Sequence, residues 1–261
     1  AHSLGLRIFY RVYRLFESAV LRRAKVVIAT SPPYLESSQT LAPVHDKCRV
    51  VPLGIRRNLI KGQEPQYPIL RANGGLRVLA VGRLAYYKGF DYLVTAIAQT
   101  PGVELDIVGD GEQAAQLRAL SSQLGLGGRV RFRGSVADDE LEQLLQACDC
   151  LCLPSIERTE SFGVVLLEAM QRGKACLVTD VPGSGMSWVV EDGVTGKVVP
   201  ARSDSALAEA MQSFAANSDK LRSFGDCGLL KYKRLFTIEK SGAAVADIYD
   251  RAHRDSARVP G

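Results

Sequence analysis

From residue 77 onward the chain alternates short apolar runs with amphipathic stretches of helical period. The runs are RVLAVG, VELDIVG, RVRFRG, CDCLCLP, ACLVTD and GKVVP, and a helical stretch follows most of them. Short apolar runs separated by helical segments read as strands joined in βαβ units. The pattern predicts an α/β fold with a doubly wound parallel sheet covered by helices. Its ligand should lie outside the carboxyl ends of the strands, where the loops 83–89, 109–112, 135–138, 155–162 and 181–187 gather.

Residues 24–55 carry the pattern once: KVVIATS, a short helix in PPYLESSQTL, and KCRVVPLGI ending at a Pro-Leu-Gly turn. One βαβ unit is too small to be a domain. The polar stretch that follows, with two prolines and a glycine pair, reads as a linker. The expected organisation is residues 1–55 as the end of a first domain whose beginning is missing, 56–76 as linker, and 77–234 as a second, ligand-binding domain. Residues 235–261 form a C-terminal helix and tail that crosses back to the first domain. Helices are expected over 203–216, 218–231 and 237–252. The chain starts at Ala1 rather than a methionine, which reads as a cut.

Composition changes this picture in two places. The net charge of +5 is uneven: residues 1–62 hold 11 Lys+Arg against 3 Asp+Glu, so the remainder is net acidic. Within that basic part, LGLRIFYRVYRLFESAVLRRAK has apolar residues at 4, 8, 12, 15, 16 and 19 with arginines between, an amphipathic helix with a basic face. Packing in a domain with the arginines solvated is the preferred expectation, and an anionic membrane surface is the alternative. The six cysteines are too few for a disulfide scaffold. Alternation should put Cys148, Cys150 and Cys152 on one strand face, as small buried hydrophobes of a reducing compartment. No uninterrupted apolar run approaches the ~18 residues of a bilayer span.

Three stretches carry candidate chemistry. In VGRLAYYKGFDYL (81–93) a strand ends at Gly82, Arg83 and Lys88 flank the loop, and Gly89 opens a helix. Two cations at a helix N-terminus make an anion site suited to a diphosphate, unless both are merely solvated loop charges. In ESFGVVLLEAM, Ser161 would cap a helix whose first amides, from Phe162, Gly163 and Val164, form a second phosphate cradle. Glu160 then stays in the loop and Glu168 lies two turns inside, free to accept from vicinal hydroxyls. The alternative for Glu168 is a salt bridge to Arg172 at i+4. In IVGDGEQAAQL (107–117), a GxGxxA spacing after a strand permits an NAD(P)-dependent oxidoreductase, although no ribose-binding acid ends the next strand.

Together, Arg83 and Lys88 in GRLAYYKG, the GDGE loop, PS followed by Glu160 and Glu168 in E-x7-E spacing, and EDGVTGKVVP resemble the nucleotide-sugar-binding half of retaining glycosyltransferases of the GT-B fold. The family is the large family four, the group 1 glycosyltransferases. The likeness runs from about residue 2 to 250, since AHS, IATSPPYLESS and VVPLGI look like the second half of such an enzyme's first domain. ATSPPYLESS, SIERTESFGVVLLEAM and GSGMSWV look most like bacterial polysaccharide and O-antigen enzymes of the mannosyltransferase kind, some of which use GDP-mannose.

The resemblance implies a donor site and its roles. Arg83 and Lys88, beside Gly82, would hold the diphosphate and neutralise charge as it leaves, with no metal and no cofactor. Glu168 would bind the ribose, and Gly134, Ser135 and Val136 would offer backbone groups to the base. Glu160, with the amides of Phe162 and Gly163, would hold the transferred hexose, and the Val164 and Val165 amides the phosphate side. His2 matches a histidine that lies beside the sugar. The partners implied are a nucleotide diphosphate sugar and a saccharide or lipid-linked acceptor. Nucleic acid is not among them. The place implied is the cytoplasm, with peripheral contact at the inner face of the membrane. A chain lacking most of its acceptor domain is expected to be inactive. The sequence departs from the family in VPGSGMSWVV, where many relatives carry a Gly-Gly pair and then a glutamate. A nucleotide-sugar epimerase, a phosphorylase and a non-catalytic nucleotide-binding module are the other readings, and no pyridoxal-lysine context supports a phosphorylase.

Overall fold

The computed structural model describes residues 4–56 and 75–257, so His2, positions 57–74 of the expected linker and the tail after 257 lie outside the described residues. The upstream part runs α1 (Leu4–Arg23), β1 (Val27–Ala29), α2 (Pro32–Ser37), a 3-10 segment (Ala42–Lys47) and β2 (Cys48–Val50). The larger part runs β3 (Leu76–Val81), α3 (Phe90–Ala98), β4 (Val103–Val108), α4 (Ala114–Gln123), β5 (Val130–Gly134), α5 (Asp138–Ala147) and β6 (Cys150–Leu153). It continues through α6 (Val164–Gln171), β7 (Ala175–Asp180), α7 (Met186–Val189), β8 (Gly196–Pro200), α8 (Asp204–Ala215), α9 (Ser218–Leu235) and α10 (Ile238–Ala257).

All six expected strands form one sheet in the order β5-β4-β3-β6-β7-β8, and every neighbouring pair is parallel. The order reverses between β3 and β6, which makes that gap the topological switch point. Both faces are packed. Val78 and Ala80 of β3 face Phe90, Leu93 and Ile97 of α3 on one side, while Leu79, with Leu151 and Leu153 of β6, meets α6 on the other. Each of these side chains is at most 1% exposed, so all but the small Ala80 contribute about 1.5–3 kcal/mol of burial apiece. α2, α8 and α9 begin at Ser31, Ser203 and Asn217, whose side chains accept first-turn amides.

The cysteines depart from the expected alternation. Cys150 and Cys152 pack on the α3 side, but Cys148 packs on the α6 side with Cys176. The strand begins only at Cys150, because Asp149 turns its carboxylate back to accept the Arg77 amide at 2.7 Å. Burial pushes the Cys148 thiol up to about 12, which leaves it inert.

In the upstream part β1 and β2 pair in parallel around a small cluster of Ala29, Leu35, Leu41, Val44 and Cys48. α1 touches that cluster through Leu21. The expected packing of α1 is not seen at Leu15 and Phe16, which are exposed, and Phe9, Tyr13, Phe16 and Val20 form an exposed stripe at i, i+4, i+7 and i+11. Two joining segments, a first crossing at 54–56 out of the upstream part and the junction of α9 and α10 at 236–238, bond to each other. The Ile55 amide donates to the Phe236 carbonyl and the Ile238 amide to the Ile55 carbonyl, both at 3.0 Å. Gly54 permits this approach, since a Cβ there would lie 2.4 Å from the Thr237 carbonyl oxygen.

Candidate donor-binding site

The loops at the carboxyl ends of the strands are joined one to the next. The Leu84 amide donates to the Asp110 carbonyl at 2.9 Å, the Gly109 amide to Gly134 at 2.8 Å, Ile156 to Tyr87 at 2.8 Å and Gly185 to Ser161 at 2.7 Å. This zipper explains the GDGE loop. A Cβ on Gly109, whose φ is +127°, would lie 2.0 Å from the Gly82 carbonyl oxygen, and one on Gly111 would lie 2.5 Å from that of Leu84. The two glycines are required for loop to sit on loop, a role that needs no dinucleotide.

The loop after β3 brings the two expected cations to different ends. Lys88 lies across Gly82, where a Cβ would stand 3.0 Å from its Nζ, and pairs directly with Glu160 of the loop after β6. Their side chains are only 12% and 13% exposed. Arg83 is open to solvent and pairs with Glu112 of the GDGE loop at 3.2 Å. Beside them Tyr86 donates its hydroxyl to Glu157, with Arg202 at 3.7 Å, which gives Glu157 a role in tying the loops after β3, β6 and β8.

The loop after β6 departs from expectation at its helix start. α6 begins at Val164 with Gly163 as its N-cap in the left-handed region at φ +77°, so Ser161 is not the cap. The Phe162 and Gly163 amides therefore precede the first turn. The Ser161 carbonyl is instead bonded to Gly185, and the Phe162 ring is buried against Trp188 and Phe236. A Cβ on Gly163 would press within 2.7 Å of Leu166 and 2.9 Å of Leu153, which is why the turn is glycine. Leu166 donates to the Gly163 carbonyl, while the amides of Val164 and Val165 have no partner among the described residues. Those two open donors stand at the positive end of the helix, where an anion would be stabilised.

Glu168 faces a cavity of about 290 Å³ between α5, α6 and the first crossing, lined also by Arg56, Asp138, Glu142 and Arg172. Arg172 does not pair with the Glu168 carboxylate. Its guanidinium forks onto Glu142 of α5, with Nε 2.8 Å from Oε1, and its Nη1 donates to the Glu168 backbone carbonyl at 2.6 Å. The Glu168 carboxylate is left without a hydrogen bond or ion pair among the described residues, and burial raises its pKa. Three residues on, the Gln171 amide donates to the Arg56 carbonyl at 2.9 Å and to the Tyr232 hydroxyl at 2.6 Å, tying α6 to the crossing. After β5, Gly134 sits at φ +70° with its carbonyl already used by Gly109, so Ser135 and Val136 are the ones with backbone groups to offer.

Residues 67–228 match the family of glycosyl transferases group 1. The chain belongs to that family. As a group 1 glycosyltransferase it is 30% identical over 240 residues to the O-antigen chain mannosyltransferase C of Escherichia coli, covering 92% of this chain and 64% of that protein. It is 32% identical over 233 residues to the D-rhamnosyltransferase WbpZ of Pseudomonas aeruginosa, covering 88% and 60%. This chain therefore spans somewhat less than two thirds of the length of these relatives. Among solved structures, a sucrose-phosphate synthase from Thermosynechococcus elongatus superposes with a TM-score of 0.77 at 29% identity, over 97% of this chain and 67% of that one. HepE from Anabaena, solved with UDP and glucose, superposes at 0.75 with 27% identity, over 91% and 66%. Membership of a glycosyltransferase family disfavours the oxidoreductase reading of the GDGE loop.

Sequence reasoning missed Glu142, the partner that takes Arg172 from Glu168. Glu142 lies past the acidic first turn of α5, and nothing local tells which carboxylate meets a side chain thirty residues away.

Proposed function

We propose that the chain binds the donor of a retaining hexosyl transfer: a hexose leaves a nucleoside diphosphate and joins a hydroxyl of a saccharide or lipid-linked saccharide. The observation that carries this reading is the unpartnered Glu168 carboxylate, half-buried eight positions after Glu160, on the helix whose Val164 and Val165 amides are open. A half-buried carboxylate that accepts no hydrogen bond is stabilised by gaining some, and vicinal ribose hydroxyls supply two. The open amides and Lys88 would then face the diphosphate, with Arg83 at the rim. Ser135 and Val136 offer backbone groups to the base.

Positive charge fixed where the diphosphate leaves stabilises the departing anion, and no metal or cofactor is part of this proposal. Glu160 already neutralises Lys88, so a diphosphate that takes the ammonium frees Glu160 to hold the hydroxyls of the sugar. The O-antigen mannosyltransferase relative supports mannose as the sugar, and GDP-mannose is the narrowest form of the donor in this reading. The exposed stripe of α1, in the basic first quarter of the chain, is read as peripheral contact with anionic lipid at the cytoplasmic face, where a lipid-linked acceptor would lie. Transfer itself is assigned to a protein with a fuller acceptor domain, and the 261-residue chain is expected to turn over little.

Titrating GDP, UDP, ADP and dTDP side by side by calorimetry tests the donor site. One of the four should bind clearly better than the rest, and failure of all four would remove the reading.

A further inference from the structure

The loop that carries Glu160 is held from two sides. Within its own domain, Lys88 pairs with Glu160 and the Ile156 amide bonds to the Tyr87 carbonyl. From the other side, Arg158 reaches α2 of the upstream part. Its guanidinium lies 4.8 Å from the centre of the Tyr34 ring, Nη1 donates to the Ser37 carbonyl at 3.3 Å, and Nη2 donates to the Tyr34 carbonyl at 3.4 Å. Carbonyls in the last turn of a helix lack intrahelical partners, so the planar cation closes the end of α2.

The loop after β7 closes on the same helix. A Cβ on Gly183 would lie 2.5 Å from Ser37 Oγ and 3.1 Å from Arg158 Nε, and one on Gly185 would lie 2.8 Å from Ser31 Oγ. Glycines at 183 and 185 thus let this loop stand against both ends of α2, which accounts for the GSG in VPGSGMSWVV. The same loop is bonded to the Glu160 segment, through Ser184 Oγ to the Glu160 carbonyl and the Gly185 amide to the Ser161 carbonyl. Arg158 and the two glycines therefore join α2 to the backbone on either side of Glu160.

We infer that Arg158 is a positioning residue that makes the placement of Glu160 depend on α2, so that the upstream part governs how the transferred sugar is held. This rests on the proposed role of Glu160. Arg158 makes no contact with Arg83 or Lys88 and does not line the Glu168 cavity. Its loss should weaken recognition of the sugar while sparing that of the nucleoside diphosphate.

Two measurements on the 261-residue chain test this. Hydrogen exchange followed by mass spectrometry, in the wild type, Arg158→Ala and Arg158→Lys, reads the coupling with nothing bound. Arg158→Ala should speed exchange of the peptides covering 34–42 and 156–162 about tenfold, and Arg158→Lys less, because lysine keeps the charge and loses the flat fork. Unchanged exchange in either peptide overturns the inference. Calorimetry with GDP-mannose and UDP-glucose against GDP and UDP reads the consequence. Arg158→Ala should lower affinity for whichever nucleotide sugar the wild type binds by about tenfold, and for its nucleoside diphosphate by less than about twofold, as expected for one stacked, charge-assisted contact. Equal loss for both ligands, or loss for neither, overturns it. If the wild type binds none of these four, nor ADP or dTDP, the donor reading falls, and the exchange result still decides the coupling.

Discussion

Glu142 and Glu168 line one cavity, on facing helices, and have opposite fates. Glu142 is 6% exposed and forked by Arg172; burial alone would raise its pKa, but the hydrogen bonds from Arg172 and Gln146 outweigh that and lower it. Glu168 has the same arginine bonded to its backbone carbonyl but not to its carboxylate, so burial, helped by the charges of Asp138 and Glu142, outweighs the arginine's charge and its pKa rises. One carboxylate is finished as structure. The other is held at a cost that a ligand would relieve, and such a cost is a mark of a binding site.

The strongest way to break this contrast is to remove the shared arginine. Arg172→Ala strands Glu142 as a buried, unpaired charge and should destabilise the chain by about 3–5 kcal/mol in urea unfolding. Replacing the pair together, Glu142→Leu with Arg172→Met, should recover most of that loss, since a buried pair gives little net stability over apolar packing.

The cations repeat the contrast, and their test is affinity. Lys88→Ala should weaken binding of the preferred nucleoside diphosphate by about 10- to 100-fold, the worth of a partly buried charge-assisted hydrogen bond. Arg83→Ala, at an exposed rim position, should cost about fivefold or less. Calorimetry on the two variants gives the ranking, and equal effects would show that burial does not set it.

Glu168→Gln sharpens the comparison from the other side. It removes the desolvated charge, so with no nucleotide present the melting temperature should rise by about 2–4 °C, corresponding to about 1 kcal/mol in a chain of this size. Nucleotide affinity should fall in the same variant. A lower melting temperature would mean that Glu168 has a stabilising partner after all.

The smallest effect is its pH dependence. A carboxyl with a raised pKa costs stability when ionised, and that cost fades as pH falls through the folded pKa toward the ordinary 4.5. The advantage of Glu168→Gln over wild type should therefore be greatest near neutrality and shrink toward about pH 4.5. Glu142 and Asp106, whose pKa values are lowered, behave in the opposite sense. Their stabilisation is present above their unfolded values and is lost as pH falls through the folded ones.

The strands and the candidate donor residues were legible in the sequence to different depths. The later residues of RVLAVG and nearly all of ACLVTD are apolar on both faces, as a helix-covered parallel sheet requires, whereas VELDIVG alternates and puts Glu104 and Asp106 on one face to pair with Arg131 and Arg133. Arg83, Lys88, Glu160 and Glu168 could be picked out because loops after parallel strands collect at one edge. The start of α6 was misplaced by two residues, since Ser161 has the chemistry of a cap but its carbonyl is drawn to Gly185. Phe162 is likewise placed by Trp188 and Phe236, both far along the chain. The i+4 spacing of Glu168 and Arg172 points to a surface pair, and the buried fork to Glu142 outcompetes it.

The sequence by itself determined the order of elements, the sheet's class, the family and the edge at which a ligand would sit. Each follows from local periodicity or from short motifs, which neighbours in the chain are enough to specify. Only the tertiary structure decided which charges are satisfied and which are left waiting. Lys88 meets Glu160, Arg172 meets Glu142, and Arg158 meets α2 across separations of 72, 30 and more than 120 residues. Partner choice over such distances is set by burial and by competition among charges, and neither is written in any one stretch of sequence.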